Sequence, residues 1–289
     1  MIPAEFKYVA PKTIPEALAF LQKEQDAKIL SGGHSLIPLM KLRLAAPSLL
    51  VDINEIPGLD YIREANGWLV LGALVREVEL EESPLIRAKY GLLHDASRSI
   101  ADPLVRNRAT IAGNLAHADP ANDHPAVMLA YRAELVATGP KGNRAIAIDQ
   151  FFTGLFVTTL ASDEILTEIR IPVPPAHSGG AYVKLERKVG DFATAAVAVQ
   201  LTLGVKGQVQ QIGIGLTNVG ATALRAVRSE EALRGKELND KLIVQSAQFA
   251  QEDCQPGADL RGSEEYKRNM VRVLTIRAIN KALQQARGH

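Results

Sequence analysis

The chain has 289 residues, 47% hydrophobic and 22% charged, with 33 basic against 32 acidic residues. That length predicts two or three compact units, and a formal net charge of +1 gives no electrostatic reason to expect nucleic acid or an anionic membrane as partner. A single cysteine, Cys254, excludes an internal disulfide, a cysteine–histidine zinc framework and an iron–sulfur cluster, which needs about four thiolates.

The amino-terminal stretch "MIPAEFKYVAPKTIPEA" lacks the basic start and apolar core of a signal peptide. No uninterrupted apolar run approaches the ~20 residues that span a bilayer. A reduced, soluble, cytoplasmic protein is the expectation. In "PKTIPEALAFLQKEQ", Ile14, Leu18 and Leu21 fall at helical spacing behind Thr13, a candidate N-cap with Glu16 three residues later. "AKIL" reads as a short buried strand, "SGGHS" as a turn, "LIPLMKLRL" as a short helix despite its proline, and "LLVDI" as another strand.

From about Tyr61 the pattern predicts a hairpin, "YIRE" and "WLVLGA" around Asn66-Gly67. One helix is expected over residues 84–100, with Leu85, Ala88, Leu92, Ala96 and Ile100 on one stripe, then a linker "ADPLVRNRA". "PAVMLAYRA" reads as a buried helix, "ELVATG" and "RAIAI" as strands, and "EILTEIRIPVPP" as a strand ending in a boundary near residues 172–180. Beyond it, "AYVKLERK", "TAAVAVQLTLGV" and "QVQQIGIGLTNV" predict three long strands of one antiparallel sheet. A long helix follows over residues 264–287, with Val271, Leu274, Ala278 and Ala282 at helical spacing. Strands followed by helices predict an α+β module with helices on a single face of the sheet.

Two glycine motifs carry the candidate chemistry. In "SGGHS", Gly32 and Gly33 permit positive φ and leave no Cβ between backbone amides and a ligand, and the next helix points its unpaired N–H groups at the same place. A diphosphate bound by amides suits a loop without lysine or arginine, and Ser35 adds a hydroxyl donor. Taken alone, that motif is better read as an empty strand-to-helix turn. "TIAGN" repeats the chemistry with Thr110, Gly113 and Asn114, and two such loops can clamp a diphosphate from both sides.

The glycines of "GIGLTNVG" miss the G-x-G-x-x-G spacing and sit in a strand-rich module, so a Rossmann site is not expected. "HADPANDH" offers His117, Asp119, Asp123 and His124 as metal ligands, but turn and N-cap chemistry before the helix accounts for the same residue types. Asp123 is better read as an acceptor for ribose hydroxyls. No catalytic triad or carboxylate pair stands out, and no residues for substrate chemistry are evident.

"AKILSGGHSLIPLMKLRL", "ADPLVRNRATIAGNLAHADPANDHPA" and "YVKLERKVGDFATAAVAV" resemble the medium, FAD-binding subunits of molybdenum hydroxylases, above all those of the aerobic carbon monoxide dehydrogenase branch. The resemblance covers essentially the whole chain. It implies a two-lobed FAD domain of the vanillyl-alcohol oxidase (PCMH) type over residues 1–176, with lobes of about 1–55 and 56–176, and a C-terminal α+β domain over 177–289. By position, Leu30, Ser31, Gly32, Gly33, His34, Ser35 and Leu36 match the first FAD loop, and Thr110, Ile111, Gly113 and Asn114 the second.

Asp123 matches the ribose-binding acid, Ile100 and Leu166 flank the flavin, Lys184 matches a lysine near the ring, and Phe192 stands where relatives often have tyrosine beside the isoalloxazine. Ala112 replaces a frequent glycine, and Ser31 a frequent alanine. The resemblance further implies a dimer of heterotrimers in which this chain holds non-covalent FAD and no metal. A large subunit would hold the molybdenum cofactor and a small one two [2Fe–2S] clusters, with electrons leaving FAD for a quinone or similar acceptor. Association with the inner face of the membrane would come through the complex. Alternatives are a flavin subunit for a purine, nicotine-like or aldehyde substrate, a stand-alone flavin oxidase tethering its flavin through His34, or a non-enzymatic assembly module.

Overall fold

The computed structural model of the chain describes residues 1–288. Its first layer is a parallel sheet in which Leu49–Asp52 lies between Lys7–Val9 and Lys28–Leu30. Helix Ile14–Lys23 covers it through Ala17, Leu18 and Leu21, and the Thr13 side chain accepts from the Glu16 amide as an N-cap. Strand Lys28–Leu30 ends at the first glycine loop, and the short helix Leu36–Lys41 leaves it. Pro38 is tolerated there because it falls in the first turn, where amides have no intrahelical partner.

The second layer is a five-stranded antiparallel sheet with Ile165–Pro172 at its centre, between Trp68–Gly72 and Glu134–Gly139. Ile62–Ala65 pairs with Trp68–Gly72 across Asn66 and Gly67, both at positive φ, as a two-residue hairpin turn requires. Gly142–Ala147 forms the other edge.

The helix expected over 84–100 is two helices, Pro84–Lys89 and Gly91–Ser99. Tyr90 breaks it at φ −123° and ψ 53°, its ring fully buried and its hydroxyl donating to Glu64 at 2.8 Å. The break turns Leu92 and Ala96 inward and leaves Ala88 exposed, so the single stripe does not exist. Two short helices fall where none was expected, Glu77–Glu82 and Pro103–Arg106.

The third layer is the expected sheet of Ser178–Leu185, Ala195–Leu203 and Val209–Thr217, with Leu224–Arg225 as a fourth short strand. Helices Asp240–Asp253 and Glu264–Ala286 pack on one face through Ile243, Val271, Leu274 and Ala278, against Val197, Val199, Ile212 and Ile214. The other face is covered as well, by helices from the first part of the chain. Across it run Gly180, Tyr182, Ala196, Ala198, Gly213 and Gly215, and helix His124–Tyr131, every residue buried, lies in that trough. A Cβ on Gly213 or Gly215 would stand 2.0 Å from the carbonyl oxygen of Ala130 or Ala126. These two glycines of "GIGLTNVG" therefore seat a helix.

Candidate functional site

The two glycine loops meet. Ser31 Oγ and Thr110 Oγ1 share a hydrogen bond at 3.0 Å, across 79 residues of sequence. Thr110 is the N-cap of helix Ile111–His117 and accepts from the Gly113 amide at 3.1 Å. A Cβ on Gly113 would come 2.7 Å from Thr110 Oγ1 and 3.0 Å from Ser31 Oγ. Gly33 has the expected positive φ of 74°.

Gly32 differs from expectation in what it avoids. A Cβ there would lie 2.3 Å from Arg108 O and 2.8 Å from Ala109 Cα, so its missing side chain lets loop approach loop.

The amides explain what such a junction can hold. Among the described residues, those of Gly32, Gly33, His34 and Ser35 donate to no protein acceptor, and neither do those of Thr110 and Ala112. Ser35 makes no side-chain capping bond. Asn114 Oδ1 is buried without a partner. Unpaired amides around a helix entry suit an anion, and an orphaned buried acceptor suits a hydroxyl donor. Together these groups fit the diphosphate and hydroxyls of a dinucleotide such as FAD. Leu30 and Leu36 flank the first loop. His34 is exposed and donates from Nδ1 to Gly32 O at 2.9 Å. Ile111 does not join the binding face, because its side chain is in the core and its amide donates to Val75 O.

A match over residues 4–174 to the FAD binding domain in molybdopterin dehydrogenase, and over 180–282 to the CO dehydrogenase flavoprotein C-terminal domain, accounts for nearly the whole chain. The chain belongs to the molybdopterin dehydrogenase FAD-binding family. It is 46% identical to the carbon monoxide dehydrogenase medium chain of Hydrogenophaga pseudoflava, with 98% of each covered. It is 36% identical to the glyceraldehyde dehydrogenase medium chain of Sulfolobus acidocaldarius, with 96% of this chain and 98% of that one covered. A solved structure of the Hydrogenophaga pseudoflava carbon monoxide dehydrogenase lacking the Mo-pyranopterin moiety superposes with a TM-score of 0.95 at 48% identity, covering 98% of both chains.

A second polar centre lies beside the loops. Asn122 donates to Asn114 O at 2.8 Å, tying the second loop to Asp123. Asp123 is buried, with Oδ1 accepting from the Tyr182 hydroxyl at 2.5 Å and Oδ2 from Lys184 Nζ at 3.0 Å. Lys184, only 5% exposed, also donates to Ser99 O at 3.0 Å, next to Ile100. Burial pushes the Asp123 carboxyl up, and the Lys184 ammonium opposes it. Burial and the adjacent carboxylate hold the Tyr182 phenol well above its ordinary range, so it stays a donor.

Asp123 makes no side-chain cap for its helix, contrary to the N-cap reading. A carboxylate and ammonium 3.0 Å apart occupy one place, so the ribose and ring-side expectations for Asp123 and Lys184 collapse into a single location.

The other groups of "HADPANDH" disperse. Asp119 closes a turn onto the Ala121 amide at 2.9 Å. His117 packs against Phe156, and His124 is paired with Glu77 at 2.7 Å, both fully buried. No group of three or more potential metal ligands forms among the described residues. Leu166 lies in the core at a strand irregularity opposite Ala137.

Phe192 is half-exposed, with the Arg261 guanidinium 5.6 Å from its ring centre. Its loop is anchored twice. Gly190, at φ 81°, lies so close to Ala101 that a Cβ would come 2.6 Å from Ala101 O, and Asp191 accepts from Arg261 and Arg187, each at 3.0 Å. Arg261, then Arg187 and the Phe192 amide, hold the Asp191 carboxyl at about 2. A depressed carboxylate stabilises above its unfolded value of about 3.9 and loses that as pH falls through the folded one. Ring-current-shifted NMR signals from the Phe192 loop are therefore expected to broaden between about pH 4 and pH 2. In Asp191→Asn they should already be broad at neutral pH.

Sequence reasoning missed Asn54, Arg76 and Tyr182. Asn54 and Arg76 lie in no motif, Tyr182 opens a stretch in which Lys184 drew the reading, and only the packing of separate elements brings these residues together.

Proposed function

We propose that the chain is the FAD-carrying subunit of a molybdenum hydroxylase, passing electrons from iron–sulfur clusters in a partner chain to an external acceptor such as a quinone. The observation that carries this reading is the junction of two glycine loops with the amides of residues 32–35 unpaired. Those amides and the Ser35 hydroxyl would hold the diphosphate, and Asn114 a hydroxyl of the cofactor. Asp123 and Lys184 would together face the ribityl chain and the ring. Leu30 and Leu36 would flank the diphosphate, Ile100 and Leu166 would back the flavin from the buried side, and Phe192 would border the isoalloxazine on the acceptor side. FAD supplies two-electron storage between donor and acceptor.

Carbon monoxide is the substrate assigned to the holoenzyme, on the strength of 46% identity to a carbon monoxide dehydrogenase medium chain. A large subunit would hold the molybdenum cofactor and a small one the [2Fe–2S] clusters, in a dimer of heterotrimers. The proposed FAD domain spans 1–176 and the C-terminal domain 177–289, whose sheet begins at Ser178. A cytoplasmic complex, held at the inner membrane face through its partners, fits a chain with no helix long and apolar enough to cross a membrane among its described residues. The relative named for glyceraldehyde keeps an aldehyde substrate as the second reading.

The test compares the chain alone with the chain joined to its molybdenum and iron–sulfur partners. Carbon monoxide-dependent dye reduction is expected only in the assembled enzyme, and acid precipitation should release about one FAD per chain into the supernatant. Turnover by the lone chain would restore a stand-alone oxidase. Flavin retained in the acid pellet would point to a covalent link at His34.

A further inference from the structure

Neither glycine loop contains a lysine or arginine. Free amides alone bind a diphosphate only if their peptide planes are held in place and the charge is met from nearby. Both needs are served from behind the loops. Asn54, just past strand Leu49–Asp52, donates from Nδ2 to Ser31 O at 2.8 Å and to Asp52 Oδ1 at 2.5 Å. Its own amide donates to the same Asp52 oxygen at 2.9 Å. Asn54 Oδ1 in turn accepts from Arg76 Nη2, and Arg76 Nη1 donates to Arg108 O at 2.6 Å. The Arg76 backbone is bridged to Thr110. One unbroken series of hydrogen bonds thus runs from the carbonyl of the first loop to the carbonyl that enters the second.

Two consequences follow from elementary chemistry. In a trans peptide the C=O and the next N–H point in opposite directions. Tying Ser31 O to Asn54 therefore turns the Gly32 amide away, toward the open side. The guanidinium of Arg76 is also unusual in its company. It is half-buried, its two side-chain partners are neutral oxygens, and it makes no ion pair among the described residues. Burial, then the neighbouring Arg108, disfavours its charge, while Glu79, Asp52 and Asp60 favour it without forming an ion pair, and arginine stays protonated. A guanidinium that no carboxylate bonds directly still gains Coulomb energy when an anion arrives.

We propose that Arg76 and Asn54 are positioning residues for the cofactor, a buckle that sets the spacing and peptide orientation of the two glycine loops and places one positive charge behind the diphosphate. This rests on the reading of those loops as a diphosphate clamp.

The test uses the full chain with its partner subunits, stripped of FAD and titrated with FAD at several salt concentrations. Arg76→Met and Asn54→Ala are each expected to raise the Kd at least about tenfold. Because the bonds act in series, the double variant should be no more than about threefold worse than the poorer single one. Arg76→Met should flatten the salt dependence, whereas Asn54→Ala and Arg76→Lys keep it. The 31P resonances of bound FAD should shift in both single variants, which a merely structural role would not cause.

Unchanged Kd values alongside a lowered apo-protein Tm would overturn the buckle, as would effects that multiply in the double variant. Failure of the wild-type protein to take up FAD, with Gly32→Val equally inert, would instead overturn the clamp beneath it.

Discussion

Gly215→Val is expected to prevent the chain from folding to its native state at ordinary growth temperature. The Cβ it adds would sit 2.0 Å from Ala126 O and 2.7 Å from Ala126 C. Those are backbone atoms of a helix buried on every side, so no side-chain rotation relieves the overlap. The strand cannot retreat either, since Gly215 is paired with Ala198 on one side and Arg225 on the other. Overpacking that side chains can absorb costs about 1–3 kcal/mol. A shift of backbone belongs to the exceptional class above about 4 kcal/mol, a large part of a typical total of 5–15 kcal/mol.

The displaced helix also carries Asp123 at its entry, so the Tyr182 and Lys184 contacts would be lost with it. Soluble yield and thermal unfolding report the outcome. Gly257→Ala, where an added Cβ meets nothing within 4 Å, should leave Tm within about 2 °C of wild type, in line with surface changes of ±0.5 kcal/mol. A Gly215→Val protein that melts like the wild type would show that the helix does not need this seat.

That role for Gly215 was hidden in the sequence, although the strand around it was plain. Local pattern records what each residue needs from its own element. Alternation in "QVQQIGIGLTNV" marks a strand, and "NG" between apolar runs marks a hairpin. The hairpin at Asn66-Gly67, the three long strands of the last sheet and the terminal helix followed from such signals. What pattern cannot record is a partner far along the chain. Tyr90 ended a helix because its hydroxyl reaches Glu64, which no helical periodicity foretells.

The glycine loops were legible as amide-rich turns, and the resemblance supplied the residues proposed for the ring side. Arg76 and Asn54 were not legible, since an ordinary arginine before an acidic helix and an asparagine after a strand belong to no motif. For the same reason Asp123 and Lys184, 61 residues apart, were read as two places until the third sheet brought them within 3.0 Å.

Gly32→Val is expected to empty the chain of FAD while most of the fold survives, and it separates two explanations of the first loop. If Gly32 served only to bare its amide to a ligand, a side chain at Gly33 would be equally harmful. The geometry argues otherwise. A Cβ on Gly32 meets the backbone of Arg108 and Ala109 at 2.3 and 2.8 Å, whereas one on Gly33 meets side-chain atoms of Ile37 and Leu30 at 2.8 and 3.2 Å.

At Gly33 the neighbours can turn aside, leaving mainly the strain of a φ of 74°, of order 1–3 kcal/mol for a side-chain-bearing residue. At Gly32 the second loop itself must retreat. That breaks the Ser31–Thr110 bond and moves the amides of 32–35 away from those of Thr110 and Ala112. Since a clamp acts through both jaws at once, FAD affinity should fall more than a hundredfold, about 2.7 kcal/mol or more. Gly33→Val should cost about tenfold to a hundredfold.

Flavin content per chain after gel filtration, with circular dichroism as the check on folding, decides between them. Wild-type flavin content in a folded Gly32→Val protein would remove the two-loop clamp from consideration. Equal losses in the two variants would return the first loop to a simple amide turn, with the approach of its partner incidental to binding.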